Sequence, residues 1–377
     1  MALRASYGVQ GNIGDNSSPD LIIQLQGRQD LTQLRYATLK QLPNPDLRWE
    51  KTKSVNVGLE FGLGGRFSAT LEYYNKRSED LLMNKEVSMA TGRNYLTINS
   101  GIMENKGFEG AISVDIVKHN GLQWTFRANA AHNENRIIKS QYPEATEKEM
   151  GKDMIKGNIT TEGTAIGTFY SIDFVRLSEE NGYPLFLDKE GNESYSVDYD
   201  NATFVRSGNF NPDVTGGFDT YVSYKGFNLS LGFSFQLGGK ARLPKMYGDK
   251  KAVFDPAENV TKEIANRWKK QGDEAVTNIP ALFNYRSDVG YTFQEFYDLS
   301  DIRVAKTDFL RFRLLALSYT LPSDFVKKMH LRGMTVRFQA NNIAVWAPKE
   351  WHNLDPETPT ANIPILPSYS LGLNLTF

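Results

Sequence analysis

The 377-residue chain contains no cysteine. Disulfides, zinc–thiolate centres and cysteine nucleophiles are therefore excluded together. Long apolar runs are also missing: no segment approaches the roughly 18 residues that a membrane-crossing helix requires, and the mean hydropathy is −0.45. Net charge is nearly absent, since 43 basic against 44 acidic side chains leave −1. A nucleic-acid partner finds no basic field on such a chain. No Pro- or Ser-rich linker separates two cores, so the sequence reads as one unit. At the start, Met1-Ala2-Leu3-Arg4 shows neither an apolar h-region nor a small-residue cleavage site. As written, the chain is not expected to direct its own secretion.

What the chain has in abundance is alternation. Tyr369, Leu371, Leu373, Leu375 and Phe377 form one apolar row, and Ser370, Gly372, Asn374 and Thr376 form a polar row between them. Successive strand side chains point to opposite faces, so such a segment has a lipid-compatible side and a wet side. Val55, Val57, Leu59, Phe61 and Leu63 repeat the rhythm. Further strands are expected near Leu3–Gln10, Phe67–Asn75, Gly107–Val117, Leu122–Asn133, Val214–Tyr224, Phe227–Leu237, Phe309–Leu321 and Met334–Asn342. Most approach the roughly 9 to 11 residues of a tilted membrane strand.

Connection lengths sharpen the reading. Short links at Gly64–Arg66, Lys118–Gly121, Lys225–Gly226 and Pro322–Gly333 alternate with long ones at Gly11–Glu50, Lys76–Lys106, Glu134–Asp213, Gly238–Asp308 and Ile343–Pro367. Links of about 70 to 80 residues would count against the strand assignment in a compact soluble domain, whereas a membrane barrel carries short turns on one side and long loops on the other. The expected fold is therefore all-β: an antiparallel transmembrane β-barrel portion of about ten strands. Ten strands in an open set expose two edges, so they either close as a small barrel or belong to a larger one. An even strand number puts both termini on the short-link, periplasmic side. Trp124, Tyr73, Tyr74, Tyr224, Phe227 and Tyr319 lie where interfacial aromatic girdles would fall, and ordinary strand aromatics are the alternative.

Catalytic and metal chemistry finds little support. The 4 histidines, His119, His132, His330 and His352, are scattered, and none joins a helical zinc motif. His132 and Glu134 share a strand face, but two ligands do not define a metal site. Gly238-Gly239-Lys240 lacks the first glycine and the Ser/Thr of a phosphate loop and reads as a loop opening. Asp188, Glu190, Asp198 and Asp200 concentrate hard oxygen donors suited to calcium, yet Gly191 breaks the EF-hand spacing; an acidic hairpin is the alternative. No catalytic residue, metal or cofactor is expected. Helices are expected at Pro256–Gln271, from the spacing of Val260, Ile264 and Trp268, and at Ser323–Met329 with Ser323 as N-cap. Candidate ligand-contacting aromatics in the long links are Trp346, Trp351, Tyr285, Tyr291, Phe293 and Tyr297, each of which could instead pack its own loop.

Several segments together carry a resemblance. Gly8-Val-Gln-Gly-Asn12, Asn44-Pro-Asp-Leu-Arg-Trp-Glu-Lys-Thr52, Asn105-Lys-Gly-Phe-Glu-Gly110, Gly208-Asn-Phe-Asn-Pro-Asp-Val-Thr-Gly-Gly-Phe218, Tyr224-Lys-Gly-Phe-Asn-Leu229, Phe309–Pro322 and Asn341-Asn342 occur in colinear order along nearly the whole chain. They resemble motifs of the SusC/RagA-like outer-membrane proteins, a branch of the TonB-dependent transporters. The resemblance implies a plugged barrel of about 22 strands, of which 1–377 would be the C-terminal part, without plug domain or N-terminal strands. It further implies import of glycans or peptides, a SusD-like surface lipoprotein as lid, and TonB acting through the N-terminal part. The terminal row Tyr369, Leu371, Leu373, Leu375 and Phe377 would be the signal read by the barrel-assembly machinery, and membrane lipid would contact the apolar rows. The alternative is a small closed outer-membrane barrel with a hydrolase or adhesin role. A soluble adhesin is opposed by apolar rows such as Leu229, Leu231, Phe233, Phe235 and Leu237. The facing assignment predicts that a charge introduced at Leu373 costs about 2 to 4 kcal/mol near the bilayer midplane while one at Asn374 is tolerated. Urea titration of the two variants in lipid checks this, and equal costs would refute the assignment.

Overall fold

A computed structural model of the chain describes residues 1–14, 18–140, 155, 161–195, 197–246, 261–282, 292–359 and 365–377. Ten strands form one sheet: β1 Ala2–Asn12, β2 Glu50–Leu63, β3 Phe67–Glu86, β4 Tyr95–His119, β5 Leu122–Lys139, β6 Val214–Tyr224, β7 Phe227–Leu237, β8 Phe309–Thr320, β9 Gly333–Trp346 and β10 Ser368–Thr376. They pair in chain order and always antiparallel. Within the described residues β1 and β10 each pair on one side only. The register Ala2↔Glu60 places the start of β1 near the Gly64–Arg66 turn, and Gly333↔Thr376 places the end of β10 beside the Pro322–Arg332 link. Both chain ends therefore lie at the short-link end of the sheet.

The registers keep the two rows on separate faces across the sheet. Leu3, Leu59 and Leu71 share one rung, and Arg4, Gly58 and Glu72 share the next. On the polar face Arg4 pairs with Glu60 at 2.8 Å and Glu72 at 3.3 Å, and Arg313 pairs with Asp219 at 3.0 Å. On the apolar face Leu71 and Phe108, both on inner strands, are each 54% exposed. Among the described residues no protein layer covers that face, so in water it would be an aggregation surface, and in a bilayer it is solvated. Phe126, Phe218, Phe233 and Phe312 form a row of rings across four strands, with Phe218–Phe233 stacked at 4.8 Å and Phe233–Phe312 at 4.7 Å. At the short-link end the Phe227 and Tyr319 rings stack at 4.1 Å. Turns there are tight: Asn120-Gly121 and Lys225-Gly226 both take positive φ at the two central residues, the geometry whose twist matches the flanking strands.

Three expectations need correction. The Lys76–Lys106 link is mostly strand, because β3 and β4 continue their ladder to Glu86↔Tyr95 beyond a bulge at Asp80, which has φ 59°. That continuation holds Leu81, Leu82, Met83, Leu96 and Ile98 among polar residues, and its register shifts between Ser78 and Leu81 and again between Leu81 and Leu82, so no single period of two runs through it. The helix expected over Pro256–Gln271 is not formed in its described part, which holds a 3₁₀ turn at Lys262–Asn266. Arg267 is extended, and Trp268 instead donates its backbone N–H to Ile279 (2.9 Å) and its indole N–H to Glu274 (2.8 Å). The helix after β8 runs Ser323–Lys327 with Pro322, not Ser323, at the N-cap and no side-chain cap. The carbonyl of Pro322 accepts the Phe325 and Val326 amides, and Val326 is buried.

One close approach explains a motif. The Tyr74 ring crosses the backbone of Gly107 and its hydroxyl donates to Asn133 at 2.9 Å; a Cβ on Gly107 would sit 2.2 Å from the His132 carbonyl and 2.6 Å from the Tyr74 hydroxyl. Gly107→Val is expected to lower stability by about 1 to 3 kcal/mol. Tyr74→Phe is expected to lower it by about 1 kcal/mol. Heat-modified gel mobility and urea titration of the refolded barrel measure both.

Candidate functional site

The long links gather at one end of the sheet and pack into a roof. Its larger core joins the β5–β6 link to the β7–β8 link: Ile155, Ile172, Phe186, Val197 and Ala202 from the first meet Met246, Ile264, Phe296 and Tyr297 from the second. A smaller core joins Ala241 and Ala305 to Trp351 of the β9–β10 link. Antiparallel strand pairs supply the backbone order within the first link: the hairpin of Phe174–Leu177 with Pro184–Leu187, and the pairing of Thr168–Ile172 with Phe204–Asn209, which brackets it in the chain.

Three arginines, Arg303 and Arg311 buried and Arg242 half-buried, fasten these pieces. Arg242 donates to the carbonyls of Ile155 (2.7 Å) and Tyr170 and to the Ser171 hydroxyl (3.3 Å), with its guanidinium 4.9 Å from the Phe169 ring. Burial brings its pKa down to about 10, so it remains a cation. Arg303 pairs with Glu263 at 2.7 Å and donates to the Pro244 carbonyl at 2.8 Å. Glu263 also faces His352 at 3.3 Å. Arg311 of β8 holds Asp355 at 2.7 Å and Glu357 at 2.8 Å, tying the β9–β10 link to the wall. Severing one partner of such a buried pair leaves an uncompensated charge, at about 3 to 5 kcal/mol.

At the rim, the Asn44–Thr52 motif is a clasp. Asn44 donates to the Thr97 carbonyl (2.8 Å), Arg48 pairs with Asp80 (2.5 Å), and Glu50 accepts the Leu82 amide (2.9 Å). Asn12 donates to Glu50 at 3.0 Å, and the Trp49 ring lies against Gly11, so the Gly8–Asn12 and Asn44–Thr52 motifs meet. Where β4 and β5 reach the roof there is a cleft of about 470 Å³ lined by Asn105, His132, Asn133, Glu134, Asn135, Asn209 and Asn211 among others. Asn135 donates to Asn105 and accepts the Ile166 amide, while Asn209 and Asn211 both donate to the Ile166 carbonyl. Sequence reading passed over this set because its amides come from three separate segments.

The expected site residues distribute unevenly. Tyr297 and Trp351 are 2% and 0% exposed, and the Trp351 indole donates to the Lys306 carbonyl at 2.7 Å. Both rings are core of the roof, and neither offers a ligand a face in this structure. Trp346 is 54% exposed, on the apolar side of β9. Tyr285, Tyr291 and the Phe293 side chain lie outside the described residues. Asp188 caps its own hairpin by accepting the Asn192 amide (2.7 Å), and Asp198 accepts the Asp200 and Asn201 amides (2.8 and 3.0 Å). Together with Glu190 and Asp200 they form no group of three or more metal-ligating side chains among the described residues.

Residues 1–243 match the family described as TonB dependent receptor-like, beta-barrel, and the chain belongs to that family. It shares 24% identity over 99% of its length with TonB-dependent receptor P3 of Formosa agariphila, covering 39% of that protein. With TonB-dependent receptor SusC of Bacteroides thetaiotaomicron it shares 27% identity over 100% of its length, covering 37% of that protein. The structure of the RagAB peptide transporter superposes with a TM-score of 0.76 at 23% identity, over 100% of this chain and 40% of that one. The chain thus spans about two fifths of these proteins. Family membership places the sheet in an outer membrane, with the uncovered apolar face towards lipid.

One roof residue carries a pH signature. Asp298 is buried, and desolvation pushes its carboxyl up to about 6, with the Met246 amide, Arg303 and Lys245 opposing the shift and Glu263 adding to it. The folded roof therefore binds a proton that the unfolded chain, at about 3.9, has already lost. Roof stability falls as pH rises from about 4 to 6, and the loss is complete above that window. Asp298→Asn keeps an acceptor for the Met246 amide and is expected to remove the slope, leaving the roof up to about 3 kcal/mol more stable at pH 7.5. Amide hydrogen exchange at Met246 and Leu299 across pH 4 to 8 reads this out; an unchanged slope would refute it.

Proposed function

We propose that this chain supplies barrel wall and extracellular loops of a TonB-dependent, SusC/RagA-like nutrient importer for glycans or peptides. The carrying observation is the pairing of a lipid-compatible outer face with a charged, hydrogen-bonded inner face under a roof built from the long links. In this reading 1–377 is the C-terminal part of a larger barrel, and both chain ends are periplasmic. A SusD-like lipoprotein covers the roof as a lid, and TonB acts through a plug-bearing part of the protein. The row from Tyr369 to Phe377 serves the barrel-assembly machinery. The asparagine-lined cleft suits ligands rich in hydroxyl or amide groups, because each amide side chain offers both donors and an acceptor. No step of this reading needs bond-making chemistry, a metal or a cofactor.

Deleting the gene is expected to abolish uptake of one labelled glycan or peptide class while sparing others. Asn133→Ala in the intact protein is expected to weaken binding of that ligand about fivefold to tenfold, the loss of one net hydrogen bond. Isothermal titration with oligosaccharide and peptide pools measures it. Unchanged uptake of both classes in the deletion strain would overturn the transport reading.

A further inference from the structure

The outer face of the sheet is not uniform. At the long-link end of β6 to β9 it opens into a shallow groove of about 590 Å³, lined by Phe218, Phe235, Leu237, Leu310, Trp346 and Pro348 among others. Register explains how it is built. Gly216, Phe235, Leu310 and Trp346 share one rung across four strands. A Cβ on Gly216 would lie 2.6 Å from the Phe235 ring, so the missing side chain lets that ring lie down along the sheet. One rung towards the short-link end, the Phe218, Phe233 and Phe312 rings stand as a stacked wall. The floor is thus lowered by a glycine and closed on one side by aromatic rings.

Its depth follows from strand length. β7 runs 11 residues from Phe227, beside the short-link aromatic pair, to Leu237 at the groove. At roughly 3.3 Å per residue and a tilt near 40° this covers about 25 Å, the full height of the apolar band. The groove therefore lies at the opposite interface, the level where outer-leaflet chains join their headgroups. Trp346, with an apolar body and a polar N–H, is the residue type favoured there. Among the described residues the lining holds a single charged side chain, Asp308, whose carboxylate accepts the Gly238 amide at 2.7 Å. At roughly 30 Å³ per water-sized group the volume suits about twenty carbon atoms.

We propose that this groove is a lipid site that holds one acyl chain of an outer-leaflet lipid against β6 to β9. The groove is continuous with the lipid-facing band, and its apolar lining leaves hydrocarbon as the complementary ligand. The inference rests on the outer-membrane reading of the sheet and is independent of what is transported.

The cysteine-free sequence permits a direct test. Leu310→Cys in the groove and Leu231→Cys in the middle of the band each receive a benzophenone label in the intact protein. Photolysis is performed in native membranes and again after purification in detergent. In membranes both positions are expected to yield lipid adducts. After purification Leu310→Cys is expected to retain at least ten times more lipid adduct than Leu231→Cys, whose neighbours have exchanged for detergent. Native mass spectrometry of the unsubstituted protein should show one retained lipid. Detergent adducts alone at both positions, or a protein adduct at position 310, would overturn the lipid site. Absence of lipid adducts at position 231 in membranes would instead overturn the membrane reading itself.

Discussion

The unbroken antiparallel ladder is the constraint on which everything else depends. Inside hydrocarbon no water can satisfy a backbone N–H or C=O, and each orphan costs several kcal/mol, so strands can cross only when paired with neighbours. Pairing in chain order through short turns meets that demand with local connections. Because side chains alternate, register is then not negotiable: a slip of one residue would turn Leu59, Leu71 and Phe108 inward and Arg4, Glu60 and Glu72 towards lipid. The pair Arg4–Glu60 and the ring row through Phe218 and Phe233 express the same register on opposite faces.

The ladder also explains what the sequence made legible. Segments between lipid and an aqueous interior must obey a period of two, so the ten strands stand out even where each is individually weak. Beyond the membrane that demand lapses. β3 and β4 continue past Asp80 with register shifts that interrupt the alternation, so Leu81, Leu82 and Met83 follow one another as a short apolar run, and the stretch is also held by the Arg48–Asp80 pair and the Glu50–Leu82 contact. Nothing in the local pattern distinguishes such a stretch from a loop. The helix expected from Val260, Ile264 and Trp268 failed for a related reason. Two of those three apolar residues, Ile264 and Trp268, are placed by distant partners, the roof core and the Ile279 and Glu274 contacts.

Aromatic residues in long links were ambiguous for a physical reason as well. A large ring lowers free energy by burial in a loop core as readily as by contact with a ligand, and sequence alone assigns it to neither. Phe296 and Tyr297 went to the core shared by two links, Trp351 to the core shared with the third, and Trp346 to the apolar side of the wall. The asparagine cleft was illegible in the opposite sense. Asn105, Asn133 and Asn135 sit on strand ends while Asn209 and Asn211 return from a link of more than seventy residues, and only the folded register makes them neighbours.

The roof shows how links of that length stay ordered above a membrane. Apolar burial alone is non-directional and would allow the links to slide over one another. Arg242, Arg303 and Arg311 each add fixed geometry at a seam: one to backbone carbonyls of the preceding link, one to Glu263 beneath His352, one to Asp355 on the link that follows. Arginine suits these seams because its planar fork makes several directed bonds and holds its charge even where burial lowers the Arg242 pKa. A buried ion pair contributes little net stability against a well-packed apolar substitute, but it penalises every arrangement that separates the charges. The seams thus select one packing of the three links while the apolar cores supply most of the driving force. That division leaves Asp298, buried with its charge only partly offset, as the point where proton binding couples to the roof.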